Sequence, residues 1–140
     1  MTAEVPAIAR PGAPVQTVLV VEDEEAIREL ATRLLKRQGY SVLVAANADE
    51  ALRLFESDAA IDVLLTDVVM PGASGPELTN RLMALRPALK VIYMSGYTEA
   101  AIVQHGILNP GLAFLNKPFT SETLGRKVRQ VLDQEAITIT

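Results

Sequence analysis

Val63-Leu64-Leu65-Thr66-Asp67-Val68-Val69-Met70-Pro71-Gly72 holds an apolar run that stops on one carboxylate, and this combination decides the fold. The run Val63–Thr66 is too short for a helix and rich in β-branched and large apolar residues. It reads as a strand buried on both faces, as in a parallel sheet. Four more runs of the same kind lie at Val18–Val21, Val42–Ala45, Val91–Met94 and Leu112–Leu115.

Helical patterns fill the intervals. Ile27, Leu30, Ala31, Leu34 and Leu35 follow i, i+3, i+4, i+7, i+8 spacing, with Gly39 placed as the C′ residue. Asn47 and Glu50 have N-cap and N3 spacing ahead of Ala51, Leu52 and Phe55. Leu78, Leu82 and Leu85 share a face that ends before Pro87. A short, weaker helix is expected over about 98–104, and Leu124, Val128, Val131 and Leu132 form a last stripe with Thr120 as N-cap. The strict alternation predicts an α/β fold, a doubly wound parallel sheet with helices on both faces. Residues 17–133 form that domain. A Pro/Ala-rich tail or linker (1–16) precedes it, and a C-terminal tail (134–140) follows, in which Ala136-Ile137-Thr138-Ile139-Thr140 alternates like an edge strand.

Composition narrows the chemistry. The chain has 140 residues, 49% of them apolar and 21% charged, which is globular and enough for one core without staples. It has no cysteine, so thiolate metal sites, disulfides and thiol nucleophiles are excluded. A formal charge of −4 and the lack of a basic run argue against nucleic acid and anionic membranes as partners. No apolar run approaches the roughly 20 residues of a membrane span. The N-terminus has no signal-peptide core, and a cytoplasmic location is expected.

Ligands of open parallel sheets bind outside the carboxyl ends of the strands. Glu22, Asp23, Glu24 and Glu25 follow the first run, Asp67 the third, Ser95 the fourth and Lys117 the fifth. These groups converge on one sheet edge as a carboxylate cluster with a hydroxyl and an ammonium. All-oxygen ligands suit Mg²⁺, which takes few protein carboxylates and keeps several waters. Lys117 and Ser95 can meet phosphoryl oxygens, and a carboxylate is a known covalent phosphoryl acceptor. The mixture suits phosphoryl transfer, which depends on positioning and charge neutralisation. Alone, Asp67 would be an ordinary strand-end Asp. Glu24 and Glu25 read as first-turn helix acids. His105, the one histidine, reads as a surface residue.

Val20-Val21-Glu22-Asp23-Glu24, Leu65-Thr66-Asp67-Val68-Val69-Met70-Pro71-Gly72, Met94-Ser95-Gly96-Tyr97 and Asn116-Lys117-Pro118-Phe119, in this order, resemble the receiver domains of two-component response regulators. The likeness covers about 17–133. Met94 to Ile102 and Leu112 to Phe119 look most like receivers at the C-terminus of hybrid sensor histidine kinases, and a stand-alone regulator or an excised domain stays open. The resemblance implies a flavodoxin-like (βα)5 sandwich with strand order 2-1-3-4-5, the order of the family's chemotaxis member. It makes Asp67 the phospho-acceptor and Asp23 a direct ligand of Mg²⁺ (or Mn²⁺). Glu22 would act through water, and Val69 would offer its backbone carbonyl. Ser95 and Phe114 correspond to the switch pair, and Lys117 to the family's lysine, with a cis bond to Pro118, an isomer found in only about 5–6% of X–Pro bonds. Ile27 is a core residue that also occupies a position touching the partner. The expected partner is a sensor histidine kinase or a histidine phosphotransfer domain, with the chain a monomer or weak dimer. No output domain is expected after Asp133.

Two rivals compete with a phosphorelay receiver. One is an enzyme on the same architecture, a phosphatase or a nucleotide or flavin oxidoreductase. The first strand is followed by neither Asp-x-Asp, G-x-G-x-x-G nor G-x-x-x-x-G-K-[ST], which argues against it. The other is a pure binding module that is never phosphorylated. Retention of Asp23, Asp67 and Lys117 speaks against that.

Overall fold

The computed structural model describes residues 15–57, 60–108 and 111–134. Strands and helices alternate along the chain: β1 (Thr17–Val21), α1 (Glu25–Arg37), β2 (Ser41–Ala45), α2 (Ala48–Ser57), β3 (Ile61–Asp67), α3 (Gly75–Leu85), β4 (Lys90–Ser95), α4 (Glu99–Gln104), β5 (Phe114–Asn116) and α5 (Ser121–Asp133). The sheet is parallel throughout, in the order β2-β1-β3-β4-β5. Most of the proline-rich tail and the alternating Ala136–Thr140 segment lie outside the described residues.

Alternate side chains of a strand point to opposite faces, and the core divides accordingly. Val18, Val20, Val63, Leu65, Ile92 and Met94 meet Leu34 and Leu35 of α1 and Leu124 and Val128 of α5. Leu19, Val21 and Leu64 meet Ala51 and Phe55 of α2 and Leu78 and Leu82 of α3. β1 and β3 are therefore apolar on both faces, the condition a central parallel strand must satisfy.

The helix ends follow from local chemistry. α1 closes as expected: Gly39 takes a positive φ of 99°. Its N–H donates to the Lys36 carbonyl while Tyr40 N–H donates to Leu35, the paired bonds of a Schellman motif. Asn47 Oδ1 caps α2 by accepting from Glu50 N–H at 2.9 Å. The Glu50 carboxylate reaches one residue further back than a standard capping box, accepting from Ala46 N–H at 2.7 Å. Ser74 and Glu77 form a full capping box at the start of α3, and Thr120 and Thr123 do the same for α5. Such caps contribute about 0.5–2 kcal/mol each.

Three expectations need correction. β2 is not buried on both faces: among the described residues it pairs with β1 alone, at the edge of the sheet, and Val44 is 43% exposed. β5 begins at Phe114 and not at Leu112, because pairing with β4 starts at Tyr93↔Phe114 and Leu112 lies in the exposed approach. Leu85 does not share the buried face of Leu78 and Leu82. It falls in the last turn of α3, beyond the sheet, and is 60% exposed.

Candidate functional site at the carboxyl edge of the sheet

Register sets the site. Val21 pairs with Thr66, Asp67 with Met94, and Ser95 with Asn116, so the chain leaves β1, β3, β4 and β5 at one level. Glu22 is held there by its own backbone, whose N–H donates to the Ala45 carbonyl at 3.1 Å. Asp67 is the last residue of β3. Lys117 follows β5, with its N–H on the Ser95 carbonyl at 2.8 Å and its peptide bond to Pro118 cis, as expected.

Glu22, Asp23 and Asp67 each place a carboxylate oxygen within 4.8 Å of the others. Lys117 Nζ stands 3.1 Å from Glu22 Oε1 and 3.4 Å from Asp67 Oδ1. Glu22 is 1% exposed and Asp67 8%, whereas Asp23 is open to solvent. The remaining Glu22 oxygen, Oε2, accepts from Glu24 N–H at 3.2 Å. Both Glu22 oxygens thus have protein partners, while the Asp23 carboxylate faces water.

The electrostatics follow from burial. Desolvation raises the Asp67 carboxyl above the usual carboxylate range, and Asp23 adds repulsion, against the lowering effect of Lys117. Desolvation also raises Glu22, with Asp67 adding to it. Burial works against the Lys117 ammonium, but Glu22 and Asp67 together outweigh it and its pKa rises. Anionic oxygens crowded around one ammonium leave a need for further positive charge.

Around this cluster, Ser95 is buried and its Oγ accepts from Tyr97 N–H at 3.0 Å. Phe114 is turned inward and packs with Val68, Tyr93, Ile102 and Leu108. Val69 and Tyr97 are 59% and 67% exposed. Ile27 is half-buried against the α1–α5 core and lines a cleft with Leu30, Lys117, Pro118 and Phe119. His105 is an exposed residue at the end of α4.

Two residues that shape the edge were not singled out in the sequence. A Cβ on Gly75 would collide with the Asp67 carbonyl oxygen, while Gly75 N–H donates to Val68 O at 2.9 Å. The start of α3 is thereby pressed against the Asp67–Val68 peptide. Arg28 Nη1 donates to the Glu22 carbonyl at 2.7 Å. Ser74-x-x-Glu77 was a readable cap signal for the first of these. Nothing local announces the second.

A doubly wound sheet with an acid cluster and a lysine at its carboxyl edge defines a class of small phosphoryl-handling α/β domains. The family model described as the response regulator receiver domain matches residues 18–129, and the chain belongs to that family. It is 38% identical over 120 residues to the sensor kinase CckA of Brucella abortus (strain 2308), covering 85% of this chain and 13% of that protein. The chain thus spans only a small part of that relative. It is 28% identical to sporulation initiation phosphotransferase F of Bacillus subtilis (strain 168), covering 84% of this chain and 94% of that protein. Among solved structures, the receiver domain of the hybrid histidine kinase CckA is 39% identical, with a TM-score of 0.69, covering 83% of this chain and 98% of that one. No helix among the described residues is long and apolar enough to cross a membrane.

Proposed function

We propose that this receiver takes a phosphoryl group from a phosphohistidine onto Asp67 and is not otherwise an enzyme. The observation that carries the reading is the meeting of Glu22, Asp23, Asp67 and Lys117 from three separate strand ends. An Asp67 carboxylate oxygen attacks phosphorus, the P–N bond breaks, and its electron pair returns to the imidazole of the donor. Lys117 sits where it can hold a phosphoryl oxygen once that oxygen competes for its ammonium. The Ser95 hydroxyl can donate to another, since toward the Tyr97 N–H its oxygen acts only as an acceptor.

The donor set fits a divalent cation: oxygen ligands only, with one exposed carboxylate beside two buried ones. Asp23 and Asp67 would hold Mg²⁺ or Mn²⁺ directly, with the Val69 backbone carbonyl. Glu22, occupied by Lys117 and the Glu24 N–H, suits a role through water. When bound, the cation supplies positive charge that offsets repulsion between Asp67 and the incoming phosphoryl oxygens.

Phosphorylation is read out, on this account, when Ser95 is drawn toward the phosphoryl group and Phe114 repacks, changing the face formed by α4, β5 and α5. Ile27, which lines a cleft with Lys117, would meet a sensor histidine kinase or a histidine phosphotransfer domain. The likeness to the CckA receiver favours a place in a hybrid kinase or its relay. We assign residues 17–133 to the domain, a cytoplasmic setting, and a monomeric or weakly dimeric state. Incubation with acetyl phosphate and Mg²⁺, followed by intact mass, tests the reading. One phosphoryl adduct that vanishes in Asp67→Asn supports it; an adduct that persists in that variant overturns it.

A further inference from the structure

The β1–α1 loop carries the two acids of the site that do not come from β3, and among the described residues one side chain, Arg28, reaches back to its main chain from beyond it. Arg28, half-buried in the first turns of α1, donates from Nη1 to the Glu22 carbonyl at 2.7 Å. That carbonyl belongs to the peptide joining Glu22 to Asp23, so its direction governs where the Asp23 carboxylate stands. A charge-assisted bond to a carbonyl is stronger than a neutral one and holds a single orientation. Glu22 is already fixed twice by side chain, through Lys117 and the Glu24 N–H. The exposed Asp23 has no such support among the described residues; Arg28 provides the nearest.

We infer that Arg28 is a positioning residue for the metal site: its guanidinium sets the Glu22–Asp23 peptide so that Asp23 meets a divalent cation in company with Asp67. The inference rests on the reading of this cluster as a Mg²⁺ site. A cation close to a metal site repels Mg²⁺, so if Arg28 acted only through its charge, removing it would tighten binding. If Arg28 positions the peptide, removing it loosens binding despite the relief of repulsion.

The experiment is an amide ¹H–¹⁵N titration of the protein with MgCl₂ at constant ionic strength, for the parent, Arg28→Met and Arg28→Lys. Thermal unfolding in metal-free buffer runs alongside as a separate measure of folding. The expected result is a Mg²⁺ Kd weakened about fivefold or more in Arg28→Met, with Arg28→Lys between the two because its ammonium can still donate to the carbonyl. Equal or tighter binding by a folded Arg28→Met overturns the inference and leaves the metal site standing. Absence of saturable Mg²⁺ binding by the parent overturns the site itself. Should Arg28→Met fail to fold, Arg28→Lys carries the test: a folded Arg28→Lys with the parent's Kd contradicts any need for the planar guanidinium, and a weakened one supports it.

Discussion

Lys117 Nζ lies 3.1 Å from Glu22 Oε1 across 95 residues of chain, with the carboxylate almost wholly buried and the lysine side chain 14% exposed. The pair ties the exit of β5 to the exit of β1, and the same ammonium reaches Asp67 at 3.4 Å. Removing one partner of a buried pair leaves the other charged group without compensation. Lys117→Met should therefore cost about 3–5 kcal/mol near neutral pH, read by urea unfolding. The cost should shrink in acid, where Glu22 and Asp67 take up protons. An unchanged unfolding midpoint at neutral pH would show that the contact holds nothing together.

Burial raises Asp67 and Glu22 above the usual carboxylate range. A carboxyl that binds its proton more tightly folded than unfolded makes stability fall as pH climbs from the ordinary carboxylate range through the raised value. Asp67→Asn removes its share of that fall. In metal-free buffer at neutral pH the variant should melt above the parent, with the gap closing toward pH 4 and on adding Mg²⁺. Lys117 works at the other end: its raised pKa gives stability that is complete below the ordinary lysine value and is lost as pH rises through the folded one. A variant that melts below the parent at every pH would reverse the assigned sign.

Mg²⁺ should raise the melting temperature, since the three carboxylates come together only in the folded chain. At a hundred times Kd the gain is about 2.7 kcal/mol. Asp23→Asn should lose most of it. If that variant keeps the full shift, Asp23 is not a ligand.

Gly75 is required for space and not for backbone freedom. A Cβ there meets the Asp67 carbonyl oxygen, a main-chain atom that cannot rotate away. Gly75→Ala should destabilise the fold by about 1–3 kcal/mol, as overpacking does, and slow phosphorylation by moving Asp67. The check is urea unfolding together with the rate of acetyl phosphate labelling.

Much of the architecture was legible because its signals are local. Short runs of β-branched or large apolar residues gave all five strands a place, and Gly39, Asn47, Thr98 and Thr120 stand at helix ends as their chemistry requires. Asp67, Glu22, Asp23 and Lys117 could be grouped before any coordinates because a parallel sheet sends every strand end to one edge. Features set by tertiary neighbours were not legible. The exposure of Val44 depends on β2 being an edge, and the start of β5 on where β4 lies beside it. The reach of Arg28 to Glu22 O depends on how α1 folds back over its own loop. The closeness of Gly75 to Asp67 depends on the packing of α3.

Val69 and Tyr97 follow Asp67 and Ser95 by two residues, and both stand exposed. Val69 cannot orient a hydrolytic water by hydrogen bonding, and the Tyr97 ring can screen the phosphoryl group from solvent. Self-dephosphorylation should therefore be slow, with a phospho-form lasting well beyond seconds at neutral pH, and Val69→Asn should shorten it. Loss of the adduct within seconds in the parent, followed by timed acid quench and intact mass, would contradict this.

The most direct test of the central claim is chemical location of the phosphoryl group. The protein is labelled with acetyl phosphate and Mg²⁺, the acyl phosphate is trapped by borohydride reduction, and the peptides are sequenced by mass spectrometry. Reduction to homoserine is expected at position 67 alone, dependent on Mg²⁺ and absent without the phosphodonor. Reduction at Asp23 or Glu22, with position 67 unmodified, would contradict it.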